Sequence, residues 1–152
     1  MREDFASVAS FIMSVVGEKY NATAYYENVK AGFRVPAIYF PLPEELTSKS
    51  TLGELYSNDV TVFVQIFAMT NDSAAVIAED IKTAIIKTKR YIPIIEEDCS
   101  ETGRYITVNV TKISRIEDSV VQIQLDWVYN QCFAENNCEK VNNITVGCFE
   151  RG

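Results

Sequence analysis

The sequence predicts an α+β domain of two layers, a mostly antiparallel sheet with two helices packed on one face. Three observations lead to that class. Residues 3–17 and 72–90 repeat apolar side chains at steps of three and four, the period of an amphipathic helix. Residues 59–69, 104–116 and 119–130 alternate with period two, as half-buried strands do. The order helix, hairpin, strand, helix, hairpin then segregates helices from strands. With 152 residues the chain has the length of one domain.

In the first helix Phe5, Val8, Ala9, Ile12, Val15 and Val16 form the apolar stripe, and Gly17 stands as its stop. Two short β segments follow, 22–29 and 34–40. Lys30, Ala31 and Gly32 lie between them as the turn of a hairpin. Pro36 donates nothing to a ladder, so the second segment is either an edge or begins pairing after it. Residues 41–58 show neither period and read as a long loop. Its Leu42, Leu46, Leu52, Leu55 and Tyr56 are too apolar for an inert linker. On strand 59–69, Val60, Val62, Val64, Ile66 and Ala68 line one face, and Thr61, Phe63, Gln65, Phe67 and Met69 the other. Both faces are apolar enough to be covered, one of them by a neighbouring subunit.

The second helix is capped by oxygens of Asn71, Asp72 and Ser73 and buries Ala74, Ile77, Ala78, Ile81, Ala84 and Ile85, with Pro93 ending it. An acidic loop, 96–101, leads into a long hairpin of 104–116 and 119–130 that turns at Glu117 and Asp118. A slip of one residue would expose its whole apolar row, so its register is well determined. The last 20 or so residues lose this clarity. The run 144–149 could add one strand to a sheet edge of the same or another subunit.

Composition narrows the function. Fourteen Lys and Arg stand against 21 Asp and Glu, a net charge of -7, which disfavours a domain that grips nucleic acid. The chain has no His, and this removes Ser-His-Asp and Cys-His nucleophiles, imidazole-ligated zinc and a histidine pH switch together. The acidic N-terminus lacks the pattern of a secretion signal, and no stretch reaches the roughly 18 apolar residues of a membrane span. A soluble, intracellular protein is expected, with Cys99, Cys132, Cys138 and Cys148 as free thiols and the four Asn-x-Ser/Thr sequons unused. The cysteine spacing fits no zinc ribbon or knuckle.

Reacting groups are equally scarce. Six glycines, none placed as a phosphate loop, and no Gly-x-Ser-x-Gly elbow leave neither a nucleotide cradle nor a hydrolase nucleophile. The acidic loop 96–101 lacks the alternating carboxylates of a calcium loop and reads as a solvated turn. Trp127, on an apolar-alternating strand, reads as core. No cofactor and no metal are expected, and the chain is not expected to be an enzyme. Tyr25, Tyr26 and Tyr39 stand evenly between cross-strand packing and an interface.

Residues 26–40, YENVKAGFRVPAIYF, carry the pattern Glu-x-Val-x-x-Gly-Phe-x-x-Pro before an aromatic-rich strand. This resembles the tail terminator proteins of Gram-positive phages and phage-tail-like particles, the bacteriocin type included. The order of elements agrees over roughly residues 3–130, up to Leu125, Asp126 and Trp127. On that basis residues 1–130 form a terminator-like domain and 131–152 a C-terminal extension, a short strand or arm, with no counterpart in the family pattern.

The resemblance implies a structural assembly protein. It would form a ring, usually hexameric, that caps the tail tube, stops its polymerisation and offers a surface to the head or collar. Its partners would be itself, the tail tube protein, a sheath, and a neck, collar or head-connector protein. DNA would pass only as cargo, and no membrane is involved. It would assemble in the host bacterial cytoplasm and end at the head-proximal end of the tail. Tyr25, Tyr26, Tyr39, Phe63, Phe67 and Met69 are the expected subunit-interface residues. Leu46, Leu52, Leu55 and Tyr56 are expected to dock on the tube. Glu96, Glu97, Asp98, Glu117 and Asp118 are expected to line an acidic lumen that repels DNA. Two other classes stay open: another neck component, a stopper or head-completion protein, and a small-ligand-binding α+β domain.

Overall fold

A computed structural model describes residues 2–27, 33–49, 55–96, 98 and 100–132. The elements are α1 (Glu3–Tyr20), β1 (Thr23–Tyr25), β2 (Ala37–Tyr39), β3 (Glu44–Lys49), β4 (Leu55–Phe67), α2 (Asn71–Lys87), β5 (Tyr91–Ile95), β6 (Glu101–Thr107), β7 (Asn109–Glu117) and β8 (Val120–Cys132). A six-stranded sheet runs β1, β2, β4, β8, β7, with β3 also paired to β4, and β5 and β6 form a small second sheet. The fold is α+β, as the alternation and helical stripes predict.

The spine of the molecule is the antiparallel ribbon of β4 and β8. Its inner row sets Val60 opposite Trp127, Val62 opposite Leu125, Val64 opposite Ile123 and Ile66 opposite Val121. All eight are buried, together with Val8, Ala9, Ile12 and Val16 of α1 and Ala74, Ile77, Ala78, Ile81 and Ile85 of α2. Both helices therefore cover the same face. Burial at about 25 cal/mol per Å² of apolar surface makes this row the dominant source of stability.

Several local details depart from the sequence reading. The first helix passes Gly17 and stops at Asn21, whose left-handed backbone (φ 55°) caps it. Segments 22–29 and 34–40 do not form a hairpin: β1 and β2 lie parallel, Thr23 beside Ala37 and Tyr25 beside Tyr39. Pairing does begin after Pro36, but β2 is interior, because its other side joins β4. The connecting residues 28–32 lie outside the described residues. Within the segment 41–58, expected to be a loop, β3 lies antiparallel to β4 from Glu44 opposite Thr61 to Lys49 opposite Tyr56, while residues 50–54 lie outside the described residues.

The second helix is capped by Thr70, whose Oγ1 accepts the Ser73 N–H at 3.1 Å. Asn71 acts elsewhere, its side-chain oxygen accepting the Ser119 N–H of the β7–β8 turn. Pro93 does not end this helix. Lys89 and Arg90, both left-handed, turn the chain, and Pro93 lies inside β5. The strand expected over 104–116 is broken at Val108: β6 pairs with β5, and β7 with β8. The hairpin turn is Asp118 and Ser119, one residue later than expected.

Candidate assembly surface

Opposite the helices, the outer face of the sheet is built from the alternate residues of the same strands. Its rows read Leu46, Asp59, Val128; then Glu44, Thr61, Asp126, Asn109; then Phe63, Gln124, Lys112; then Tyr39, Gln65, Gln122, Ser114; and Ala37, Phe67, Val120. Thr61, Phe63, Gln65 and Phe67 are each half-buried, where their inner neighbours are fully buried. No helix covers this side among the described residues.

Its character changes along the strands. At the β1–β2 end the aromatic rings gather: Phe33 meets Phe67 edge-on at 5.1 Å and Tyr25 at 6.3 Å. Such edge-to-face pairs satisfy the ring quadrupoles as well as burying area. Ala37, which faces this side, is completely buried although no helix lies over it. At the other end Asp126 accepts hydrogen bonds from the hydroxyls of Thr61, at 2.6 Å, and Thr111. Those donors fix the carboxylate in place on the surface. Beyond it Leu46 and Val128 are 69% and 53% exposed and flank Asp59.

The structure thus brings Tyr25, Tyr39, Phe63 and Phe67 onto one face, while Tyr26 and Met69 stand apart. Tyr26 stacks on Phe40 at 5.5 Å, and Phe40 packs in turn on Phe5 of α1. Burial raises the Tyr26 hydroxyl above its ordinary pKa. Met69 falls after β4 has ended and is 75% exposed in the corner before α2, where it lines a cleft of about 300 Å³ with Tyr20, Pro36 and Val76.

Of the expected tube-docking residues, Leu46 lies on β3. Leu55 and Tyr56 begin β4, and Leu52 is outside the described residues. The acidic candidates occupy two separate turns. Glu96 and Asp98 are exposed beside the start of α1, where Ser7 Oγ accepts the Ile95 N–H at 2.9 Å. Hydrogen bonds from Ser100 hold the Asp98 carboxyl below its ordinary pKa. Glu117 and Asp118 are exposed beside the start of α2, at the other end of β8, and Glu97 lies outside the described residues. Of the cysteines, Cys132 ends β8, and Cys99, Cys138 and Cys148 are not among the described residues.

Sequence reasoning missed the polar cluster that anchors α1. Asp4 is fully buried, yet its carboxylate takes two hydrogen bonds from Arg2, at 2.6 and 2.8 Å, and one from the Trp127 indole N–H at 2.8 Å. Arg2 also donates to Glu45 on β3 at 2.6 Å and stacks 4.6 Å over the Tyr129 ring. Tyr129 donates to Glu3 at 2.7 Å, and Arg104 of β6 reaches Glu3 at 2.7 Å. The Asp4 hydrogen bond, ahead of the bond to Glu45 and in spite of burial, raises the Arg2 pKa. Burial first, and the bond to Glu3 second, raise that of Tyr129. The cluster joins α1 to β3, β6 and β8, so the arm that carries Leu46 is fixed to the core. Arg2, Glu3 and Asp4 opening an amphipathic helix were the only sequence signal for it.

A cleft of about 470 Å³ between the two sheets is lined by Asp59, Tyr105, Thr107, Asp126 and Val128. No group of three or more His, Cys, Asp or Glu able to hold a metal occurs among the described residues, and no described helix is long and apolar enough to cross a membrane.

No protein-family model matches the chain. It is 26% identical over 119 residues to the uncharacterized protein YqbJ of Bacillus subtilis strain 168, a match covering 76% of this chain and 79% of that relative. It is 28% identical over 123 residues to the phage-like element PBSX protein XkdJ of the same strain, covering 79% of this chain and 75% of the relative. A chain of the solved virion of a native gene transfer agent particle superposes with a TM-score of 0.47 at 13% identity, covering 82% of this chain and 90% of that one. The chain is therefore a distant relative of Bacillus proteins, one of which belongs to a phage-like element.

Proposed function

We propose that this chain is a structural protein of a phage or phage-like particle, with a tail-terminator role: a ring, taken as hexameric from the family resemblance, that caps the tail tube, ends its polymerisation and offers the head or collar a surface. The observation that carries the reading is the outer sheet face, a mixed aromatic and polar surface that no covering layer overlies among the described residues, in a chain related to a protein of a phage-like element. A partly apolar face of this kind is what subunit contacts use. A ring is a closed heterologous assembly in which two different patches of one subunit meet. Tyr25, Tyr39, Phe63 and Phe67 supply one such patch. The β3–β4 arm, held to α1 by Arg2, presents Leu46 to the tube. The two acidic turns face the lumen in this reading. Residues 131–152 act as an extension to the domain of 1–130. The role is non-enzymatic, and the partners are the tube protein and the neck or head-connector proteins.

The test is deletion from a particle-producing host, followed by electron microscopy of the tails. Overlong or ragged tails are expected. Tails of normal length and closure would overturn the terminator role. Finished tails that fail to join heads would assign the chain to a stopper or head-completion role instead.

A further inference from the structure

Among the described residues three strands edge the sheet, β1, β3 and β7, and we infer that two of them pair with each other between neighbouring copies of this chain, β3 of one subunit against β7 of the next. The inference rests on the ring reading and specifies which surfaces close the ring.

Among the described residues β3 pairs only with β4, and β7 only with β8, so each presents one unpaired edge. They lie on opposite sides of the β4–β8 ribbon, as a heterologous contact requires. Their directions also match. Each of the pairs β3 with β4, β4 with β8 and β8 with β7 is antiparallel, so β3 runs opposite to β7. A neighbour's β3 laid against β7 therefore continues the sheet as a regular antiparallel ladder, with all helices on the same side.

Charge and face agree with this pairing. Glu44 lies on the outer face of β3 and is exposed, in a row with Thr61 and Asp126. Lys112, exposed on the outer face of β7, is in the next row, opposite Gln124. Outer residues pair with outer residues in an antiparallel ladder. Within Lys112–Arg115, the stretch between the two bulges of β7, the outer residues are Lys112 and Ser114. Glu44 opposite either one is then directly across from Lys112 or diagonal to it, both within reach. On the inner face a cleft of about 460 Å³ lies between β7 and α2, with Lys82, Arg90 and the half-exposed Ile86 on its wall. Glu79 also lines it and pairs with Lys82 at 3.7 Å. Glu45 is on the inner side of β3, held by Arg2. The pairing brings it to the mouth of the neighbour's basic cleft. Leu46 then belongs to the subunit contact in place of the tube.

The experiment is charge reversal on the full chain, read by sedimentation velocity and negative-stain imaging at a concentration where the parent protein forms rings. Both side chains are exposed, and circular dichroism checks that each variant folds. Glu44→Lys and Lys112→Glu should each weaken association about tenfold or more, since each places like charges across the contact. Mixing the two variants should restore rings, because an alternating ring has one parental and one reversed contact in turn. Parent rings with variants that assemble unchanged, or a mixture that stays dissociated, would overturn the edge pairing and leave the ring reading standing. A parent protein that forms no ring, alone or with tail tubes, would overturn both.

Discussion

The two faces of the β4–β8 ribbon are made by the same two strands and yet differ sharply in exposure. On the inner face every side chain from Val60 to Ile66 and from Val121 to Trp127 is buried against the helices. On the outer face Thr61, Phe63, Gln65, Asp126, Gln124 and Gln122 are partly exposed, and Thr61 donates to Asp126 along the surface. A strand commits its residues alternately, so one sequence writes two surfaces at once. The inner one answers to folding. The outer one is constrained only weakly by folding, which leaves it available for recognition. Substitutions that separate stability from assembly test that contrast.

The largest expected effect is at Asp4. Removing a carboxylate that is fully buried among Arg2 and the Trp127 indole strips the Arg2 guanidinium of two of its three hydrogen bonds, leaving Glu45, and the indole N–H of its acceptor. Asp4→Ala should cost about 3–5 kcal/mol of unfolding free energy in a denaturant titration. A loss below about 1 kcal/mol would mean that the cluster does not hold α1 to the sheet. Next comes the core row itself. Leu125→Ala should cost about 3 kcal/mol, whereas Gln124→Ala, one residue along on the other face, should stay within about 0.5 kcal/mol. Equal effects at these neighbours would dissolve the distinction between the faces.

Phe63→Ser should reverse the order of consequences. Phe63 is half-buried on the outer face, so its loss should cost about 1–2 kcal/mol of stability, less than Leu125→Ala. Association with itself or with tail tubes should fall at least tenfold if the face is a contact, because interfaces concentrate their energy in buried aromatics. A stable variant that assembles normally would show that the outer face contacts nothing.

What the sequence made legible follows the same division. The stripes of α1 and α2 and the inner rows of β4 and β8 were readable because burial imposes a period. β3 was not, since Glu44 to Thr47 are all exposed: with no side buried, EELTSK has no alternation to detect. Its side-chain tie to α1 comes through Arg2, 43 residues from Glu45. The break between β6 and β7 was hidden for a different reason. Val108 is buried, so the side-chain alternation runs on without interruption while the backbone changes partner from β5 to β8. Period records which way side chains point, not which strand lies alongside. The parallel pairing of β1 and β2 escaped for that reason as well. Two three-residue strands flanking a Gly look like a hairpin, but the direction of β2 is set by its antiparallel bond to β4. On the outer face the aromatic residues were found by type. Met69 was assigned there by extending the alternation two residues past the end of β4.

The smallest predicted effect concerns the tie between the helices, far from either face. Lys19 donates to Asp80 Oδ2 at 2.8 Å, and the Tyr20 hydroxyl donates to the same oxygen. The hydrogen bond from Lys19, then that from Tyr20, holds the Asp80 carboxyl below its ordinary pKa. The folded state therefore binds this proton less readily than the unfolded chain. By linkage the contribution is present in full above the ordinary aspartate pKa of about 3.9, and it fades as pH falls through the lower folded value. The site is partly open to water and the pair exchanges with solvent, so the effect is small. Comparing unfolding midpoints of the parent and Asp80→Asn from neutral to strongly acidic pH should show the two curves converging below the ordinary carboxylate range, and only there. Curves that stay parallel across the acid limb would mean that Asp80 contributes no pH-dependent link between α1 and α2, and that the helices are held together by their apolar stripes alone.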